Sequence, residues 1–405
     1  MTTGTIARAA VKLGLAERLV RERLGCITHG ELILEDRDGS ETFGNGGLHA
    51  RVQVHDPRFY GEIAYGGSVG AGEAYMLGYW SADDLTAAMR ILLQNRQVLD
   101  GMERGLASLS APLRKAMHWA ARNTRAGSRR NIATHYDLSN AFFALFLDPT
   151  MMYSSAVFER PGMSLEQASF AKLDRICRRL ELKPGDHVLE IGTGWGGFAL
   201  HAAQHFGCRV TTTTISDQQY LLALERVTAA RLRHRIRLLR EDYRDLTGRY
   251  DKLVSIEMIE AVGHEYLETF FRKCGALLQD DGLMLLQAIT IADQRYDSAR
   301  RSVDFIRKHI FPGSCIPSVS ALTAAAARAS DLRLFHLEDI GPHYATTLAA
   351  WRRNLLRNVE PIRALGLSDE FIRMWEFYLC YCEAGFAERA LGDVQALFVK
   401  PGARP

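Results

Sequence analysis

Ten residues, Val188 to Gly197 (Val-Leu-Glu-Ile-Gly-Thr-Gly-Trp-Gly-Gly), constrain this chain more than any other stretch. An apolar run passes directly into four glycines within six positions. That pattern reads as a strand, a tight turn and a helix start, because glycine permits the turn and lets a ligand approach the backbone closely. Two kinds of ligand suit such a turn. Gly192, Gly194 and Gly197 satisfy G-x-G-x-x-G, and Asp217, twenty residues further on, would serve as the ribose-binding acid of a dinucleotide site. Against that, Glu190 makes the segment E-x-G-x-G-x-G, with Gly196 as third glycine, and its carboxylate can meet the cationic methionine portion of S-adenosylmethionine. Trp195 also crowds the turn where a pyrophosphate must lie on bare backbone. The balance favours S-adenosylmethionine.

The surroundings extend the pattern. From Leu165 onward, helical and strand-like segments alternate: a helix over Leu165–Leu180, strands at His187–Ile191, Cys208–Ile215, Ile236–Leu239, Lys252–Ile256 and Leu283–Ile289. Such alternation implies βαβ units in a parallel, doubly wound, Rossmann-like α/β sheet, and with S-adenosylmethionine as its ligand that sheet is expected to be of the class I methyltransferase type. Ligands of these sheets bind beyond the carboxyl ends of the strands. Thr214 and Gln219, after the second strand, are placed to reach ribose hydroxyls. Asp242 and Tyr243, after the third, are placed to bond and stack on adenine.

Before this domain the reading is looser. Ile27–Glu35 and Ala50–Val54 alternate like half-buried strands, separated by turn residues, and Leu85–Gln94 reads as an amphipathic helix. The 405 residues are divided into a smaller mixed α+β N-terminal domain (1–110, for lipid docking or dimerisation), a basic linker (111–130) and a catalytic domain (131–405). Between Arg114 and Arg130 stand Arg114, Lys115, Arg122, Arg125, Arg129 and Arg130 with no acid. The run suits either a solvated connector or a patch that meets anionic lipid head groups. A net charge of only +3 argues against bulk nucleic-acid binding. Seven cysteines, odd in number and without a C-x-x-C pair, suit neither a disulfide framework nor a zinc site. No metal is expected, no spanning helix or secretory signal is evident, and a cytoplasmic protein is expected.

The segment after the fourth strand narrows the acceptor. No Pro-Pro or Pro-Cys step of the kind used by nucleic-acid methyltransferases occurs. Instead, Ser255-Ile-Glu-Met-Ile-Glu-Ala-Val-Gly-His264 carries two carboxylates, Glu257 and Glu260, three apart and on one face of a helical path. With His135-Tyr136-Asp137-Leu138, Leu147-Asp148-Pro149, Met152-Tyr153-Ser154, Ile310-Phe-Pro-Gly313, Tyr344 to Trp351 and Tyr381-Cys382 to Phe386, the ordered set resembles cyclopropane-fatty-acyl-phospholipid synthases and mycolic acid cyclopropane synthases over about residues 130–400.

The resemblance implies methylene transfer from S-adenosylmethionine to the cis double bond of an unsaturated phospholipid acyl chain. A carbocation forms and a bound bicarbonate takes its proton. It further implies cofactor contacts at Tyr153, Ser154, Glu190, Gly192, Gly194, Gly196, Thr214, Gln219, Asp242 and Tyr243, and acyl-chain contacts at Tyr136 and Ile289. The relatives' bicarbonate pocket uses a Cys, a Glu, a His and a Tyr, matched here by Ser155, Glu260, Gln287 and Tyr344. The chain thus departs at Ser155 and Gln287, and Gln287 can donate a hydrogen bond but cannot titrate. Misdirected deprotonation of the same cation would give a methyl- or methylene-branched chain. Cys382 matches a cysteine once regarded as a nucleophile; an apolar setting would raise its pKa, which makes it pocket lining. Aromatic side chains that would steady the cation include Tyr136, Phe143, Tyr153, Tyr344, Trp351, Tyr378 and Phe386. The implied partners are a membrane surface, approached from the cytoplasm, and a second copy of the chain. Methylation of a soluble molecule or nucleic acid, a dinucleotide oxidoreductase and a non-catalytic lipid binder are the competing readings.

Overall fold

The structure, a computed structural model, describes residues 3–104 and 139–405, with side chains described from 14 to 102 and from 139 onward. The basic run 111–130 and Tyr136 lie outside the described residues. The chain forms two compact units, one of Met1–His118, Ser302–Ile310 and Leu355–Ala390, the other of Trp119–Arg301, Phe311–Asn354 and Leu391–Pro405. This differs from a linear cut at 110 and 130, because late segments return to the first unit. Helix Asp369–Ala387 carries Phe377, which packs on Phe305 and Tyr75, and Tyr75 donates to Glu376 at 2.9 Å.

The first unit contains a four-stranded sheet of β1 (Gly30–Asp36), β2 (Gly39–Asn45), β3 (His49–Val54) and β4 (Trp80–Ala82), ordered β2-β1-β3-β4. The expected strands at 27–35 and 50–54 correspond to β1 and β3, and the expected helix to Leu85–Gln94, capped by Asp84. Strand β2 went unread because only Phe43 of its seven residues is buried, which leaves no alternation to see.

The second unit is built on β5 (His187–Ile191), β6 (Arg209–Thr213), β7 (Ile236–Leu239), β8 (Tyr250–Ile256), β9 (Leu278–Ile291), β10 (Arg333–Asp339) and β11 (Leu391–Val399). They form one sheet ordered β10-β11-β9-β8-β5-β6-β7, parallel from β7 to β9, with β11 antiparallel to both β9 and β10. This is the class I methyltransferase arrangement. Helices cover both faces: Phe270, Phe271 and Leu322 pack on one, Phe198, Leu173 and Ile176 on the other. Strand order reverses between β5 and β8, which pair directly, so the loops after these two strands open at a topological switch point. The Ser255 hydroxyl donates to the Ile191 carbonyl at 3.0 Å and ties the two strand ends together.

Candidate active site

The turn after β5 is shaped by backbone conformation. Gly192, Gly194 and Gly196 have φ of 104°, 51° and 85°, which side-chain-bearing residues rarely adopt. A Cβ at Gly194 would meet nothing within 4 Å, so the turn opens onto free space, whereas one at Gly197 would strike Thr150 O at 2.9 Å. Arg226 fastens this turn to the preceding segment, donating to Trp195 O (2.7 Å), Thr150 O (3.1 Å) and Pro149 O (3.1 Å). Glu190 is 3% exposed and its Oε2 has no hydrogen-bond partner. Burial pushes its carboxyl up to about 8, opposed by the Thr212 hydroxyl and Lys172. A buried carboxylate with an unanswered oxygen beside an open glycine turn fits a cationic ligand group. The remaining expected cofactor residues stand around it. Thr214 donates to Gln219 Oε1 at 2.8 Å, Asp242 accepts from Arg244 at 2.8 and 2.6 Å, and the Tyr243 ring lies edge-on to Phe270. Ser154 Oγ accepts from Lys172 Nζ at 2.8 Å. S-adenosylmethionine therefore fits these residues; when bound it supplies an electrophilic methyl on a sulfonium.

Across the switch point, Glu257 is the hub. It follows β8 with φ of 49°, an uncommon backbone state for a residue with a side chain, and such states cluster at functional sites. Its N–H donates to Gln287 O at 2.8 Å. Its Oε1 accepts from the Ser155 N–H (2.8 Å) and from Gln287 Nε2 (2.8 Å), and its Oε2 from the Tyr344 hydroxyl (2.7 Å). Gln287 is itself clamped, receiving Gln395 Nε2 at 3.1 Å and reaching Asp393 Oδ2 at 3.2 Å. This follows from strand register: Gln287 lies opposite Gln395, and Ile289 opposite Asp393, on the β9–β11 pair. Glu260 accepts from the Ile289 N–H at 2.6 Å, its Oε2 has no partner, and burial with Glu257 nearby pushes it up to about 8.

Three buried carboxylates thus meet in one place. Burial and repulsion from Glu257 and Glu260 hold Asp393 well above the ordinary carboxylate range, and it makes a side-chain hydrogen bond with Glu257. Asp393 Oδ1 has no hydrogen-bond partner. Burial raises Glu257 as well, so the pair favours sharing a proton. Lys172, fully buried, is the countercharge acting on Glu257, Asp393 and Glu190, and desolvation lowers it to about 8.

Beside the carboxylates stands an aromatic wall. Tyr153 packs on Trp351 (5.3 Å), Phe143 (5.4 Å) and Phe146 (6.2 Å), Phe143 on Trp195 (4.9 Å), and Tyr344 lies perpendicular to Trp351 at 6.0 Å. Four of the expected aromatics, Phe143, Tyr153, Tyr344 and Trp351, are therefore one cluster.

Of the expected catalytic residues, Ser155, Gln287 and Tyr344 converge, but on Glu257; Glu260 flanks them through Ile289. Cys382 belongs to the first unit with Tyr378 and Phe386, and burial there pushes its thiol up. The sequence reading missed Lys172 and Asp393 and left Glu257 without a role. Signals existed. Lys172 falls on the buried stripe Ala168, Ser169, Leu173, Ile176, and Asp393 and Gln395 interrupt an otherwise apolar strand.

Comparison with known proteins identifies the family. The family described as mycolic acid cyclopropane synthetase matches residues 123–396. The chain belongs to that family. It is 36% identical to tuberculostearic acid methyltransferase UfaA1 of Mycobacterium tuberculosis, over 97% of this chain and 93% of the relative. It is 34% identical to the cyclopropane-fatty-acyl-phospholipid synthase of Escherichia coli K12, over 87% and 89%. The solved cyclopropane synthase MmaA2 from Mycobacterium tuberculosis superposes with TM-score 0.63 at 31% identity, covering 67% of this chain and 98% of that one. The chain is an S-adenosylmethionine-dependent C-methyltransferase of the cyclopropane synthase family, acting on lipids.

Proposed function

We propose that the enzyme delivers the one-carbon unit of S-adenosylmethionine to the cis double bond of an unsaturated phospholipid acyl chain and closes a cyclopropane ring. The observation that carries this is the carboxylate hub beside an aromatic wall. An alkene is a weak nucleophile, and its methylation leaves a carbocation. Aromatic faces contribute up to about 2 kcal/mol each towards a desolvated cation. The fixed Glu257 carboxylate adds a negative field at a buried position. Holding the double bond in line with the transferred methyl contributes a further ~7–11 kcal/mol.

Bicarbonate does not fit the residues present. The Ser155 N–H, the Gln287 amide and the Tyr344 hydroxyl are spent on Glu257, and the Ser155 hydroxyl donates to Ala156 O. An additional anion would face Glu257, Glu260 and Asp393 without a free donor among these groups.

A second reading, a methyl- or methylene-branched product, is favoured by the 36% identity with a tuberculostearic acid methyltransferase across nearly the whole chain. Both begin with the same methyl transfer. Incubating the protein with unsaturated phospholipid and labelled S-adenosylmethionine tests the reading. Label in the acyl chain with a gain of one CH2 supports it; unlabelled lipid overturns it. NMR of the product separates ring from branch.

No helix among the described residues is long and apolar enough to cross a membrane. We propose docking at an anionic bilayer surface through the basic residues between 114 and 130. Binding to anionic vesicles that salt releases supports this, and equal binding to neutral vesicles at high salt excludes it.

A further inference from the structure

We infer that Glu257 is the catalytic base, its carboxylate taking the proton lost by the methylated acyl chain so that no free anion serves the site. The inference rests on the alkene-methylation reading.

Four observations point to it. The groups that the family resemblance assigns to a bound anion, at Ser155, Gln287 and Tyr344, converge on this side chain. Glu257 therefore holds a carboxylate where those groups can orient one. Second, both its oxygens are fixed, and the backbone is held in the left-handed region at φ 49°, so the group is pre-positioned. Third, its partners cannot compete for the proton. Gln287 does not titrate and Tyr344 donates its only hydroxyl proton to Glu257. These are positioning residues. Fourth, the carboxylate lies against the aromatic wall through Tyr344, whose ring packs on Trp351. Burial also raises Glu257 above the ordinary glutamate range, which makes it a stronger base.

The step balances. The alkene electron pair forms a C–C bond to the methyl carbon as the S–CH3 bond breaks towards sulfur, leaving a cation on the neighbouring chain carbon. Glu257 removes a proton from the new methyl, and that C–H electron pair closes the ring. Where a 1,2-hydride shift first moves the cation onto the methyl-bearing carbon, the same pair instead forms the double bond of a methylene branch. The resulting Glu257 carboxylic acid returns its proton to solvent as the product leaves.

The full-length protein is assayed with unsaturated phospholipid vesicles and labelled S-adenosylmethionine, in CO2-free buffer and with added bicarbonate. The expected wild-type rate is the same in both. Glu257→Gln is expected to lose about 10²–10⁴-fold in kcat with KM for S-adenosylmethionine unchanged. Glu257→Ala, which vacates the carboxylate position, is expected to recover activity when bicarbonate or formate is added. A purely structural role would not produce such rescue. A wild-type enzyme that labels lipid only with bicarbonate overturns the inference, and this arm requires no variant to fold. So does a Glu257→Gln protein that labels lipid at the wild-type rate, or one matched in loss by an unrescued Glu257→Ala that no longer binds S-adenosylhomocysteine. A wild-type enzyme that labels no lipid under either condition overturns the alkene reading itself, and the inference with it.

Discussion

Two sides of one sheet end handle charge in opposite ways. Along β5 and after β6 and β7 the candidate carboxylates are met singly: Asp242 is paired with Arg244, Asp217 with Arg240, and Glu190 keeps one oxygen unanswered. After β8 and β9, and at the start of β11, Glu257, Glu260 and Asp393 crowd together, joined by amide and hydroxyl donors, with the Lys172 ammonium as countercharge to Glu257 and Asp393. The first side suits a ligand that arrives already charged, met by one matched group. The second suits a charge that appears only during reaction, because Glu257 and the aromatic faces are fixed in place before a cation forms. The comparison teaches that binding and chemistry can be separated by substitution.

After the losses at Glu257, the largest expected effect is on the cofactor side. Glu190→Gln removes a buried charge-assisted contact worth about 1.5–3 kcal/mol. By the tenfold-per-1.4 kcal/mol rule this weakens S-adenosylmethionine binding roughly ten- to a hundredfold. Isothermal titration should show that loss, and should show Glu257→Gln binding like wild type. Equal weakening in both variants would break the comparison.

The same division explains what could be read from the sequence. Cofactor-side residues are local: Glu190 to Gly196, Thr214 with Gln219, and Asp242 with Tyr243 each sit within one strand-turn segment, so spacing reveals them. Strands β5 and β7 were legible to the residue for the same reason. The acceptor side is assembled from residues 155, 172, 257, 260, 287, 344 and 393, brought together by sheet order and by the antiparallel β9–β11 register. No spacing rule encodes that meeting. Resemblance supplied Ser155, Glu260, Gln287 and Tyr344, but it could not show that Glu257 had taken the donors of Ser155, Gln287 and Tyr344. The return of helix Asp369–Ala387 to the first unit was equally illegible, because an amphipathic helix does not state which partner buries its apolar face.

A smaller effect sharpens the acceptor side. Tyr344→Phe keeps the ring against Trp351 and deletes one donor to Glu257, a bond to a charged group. The expected loss in kcat is about tenfold, the lower end of the ~1.5–3 kcal/mol for such bonds. S-adenosylhomocysteine affinity should not change. A fall in affinity without a fall in kcat would assign Tyr344 to the cofactor side.

The smallest effect is read in the ligand-free protein by denaturant unfolding across pH. Glu190 and Glu260 are raised from 4.5 to about 8 in the folded chain, so between those values the folded state holds protons that the unfolded state has released. Their contribution is complete below pH 4.5 and is lost as pH rises towards 8, at up to about 1.4 kcal/mol per pH unit for each group. Lys172 runs the other way: lowered from 10.5 to about 8, it favours folding increasingly as pH rises from 8 to 10.5. The combined contribution of these three groups should therefore fall from pH 5 to 8 and turn upward beyond, and the difference between each variant and wild type isolates it from the other titrating groups. Glu190→Gln and Glu260→Gln should each flatten the falling limb without touching the rising one, and Lys172→Met should do the reverse. If Glu260→Gln leaves the falling limb unchanged, Glu260 is ionised in the folded protein, and the crowded side carries one more negative charge than Lys172 can offset.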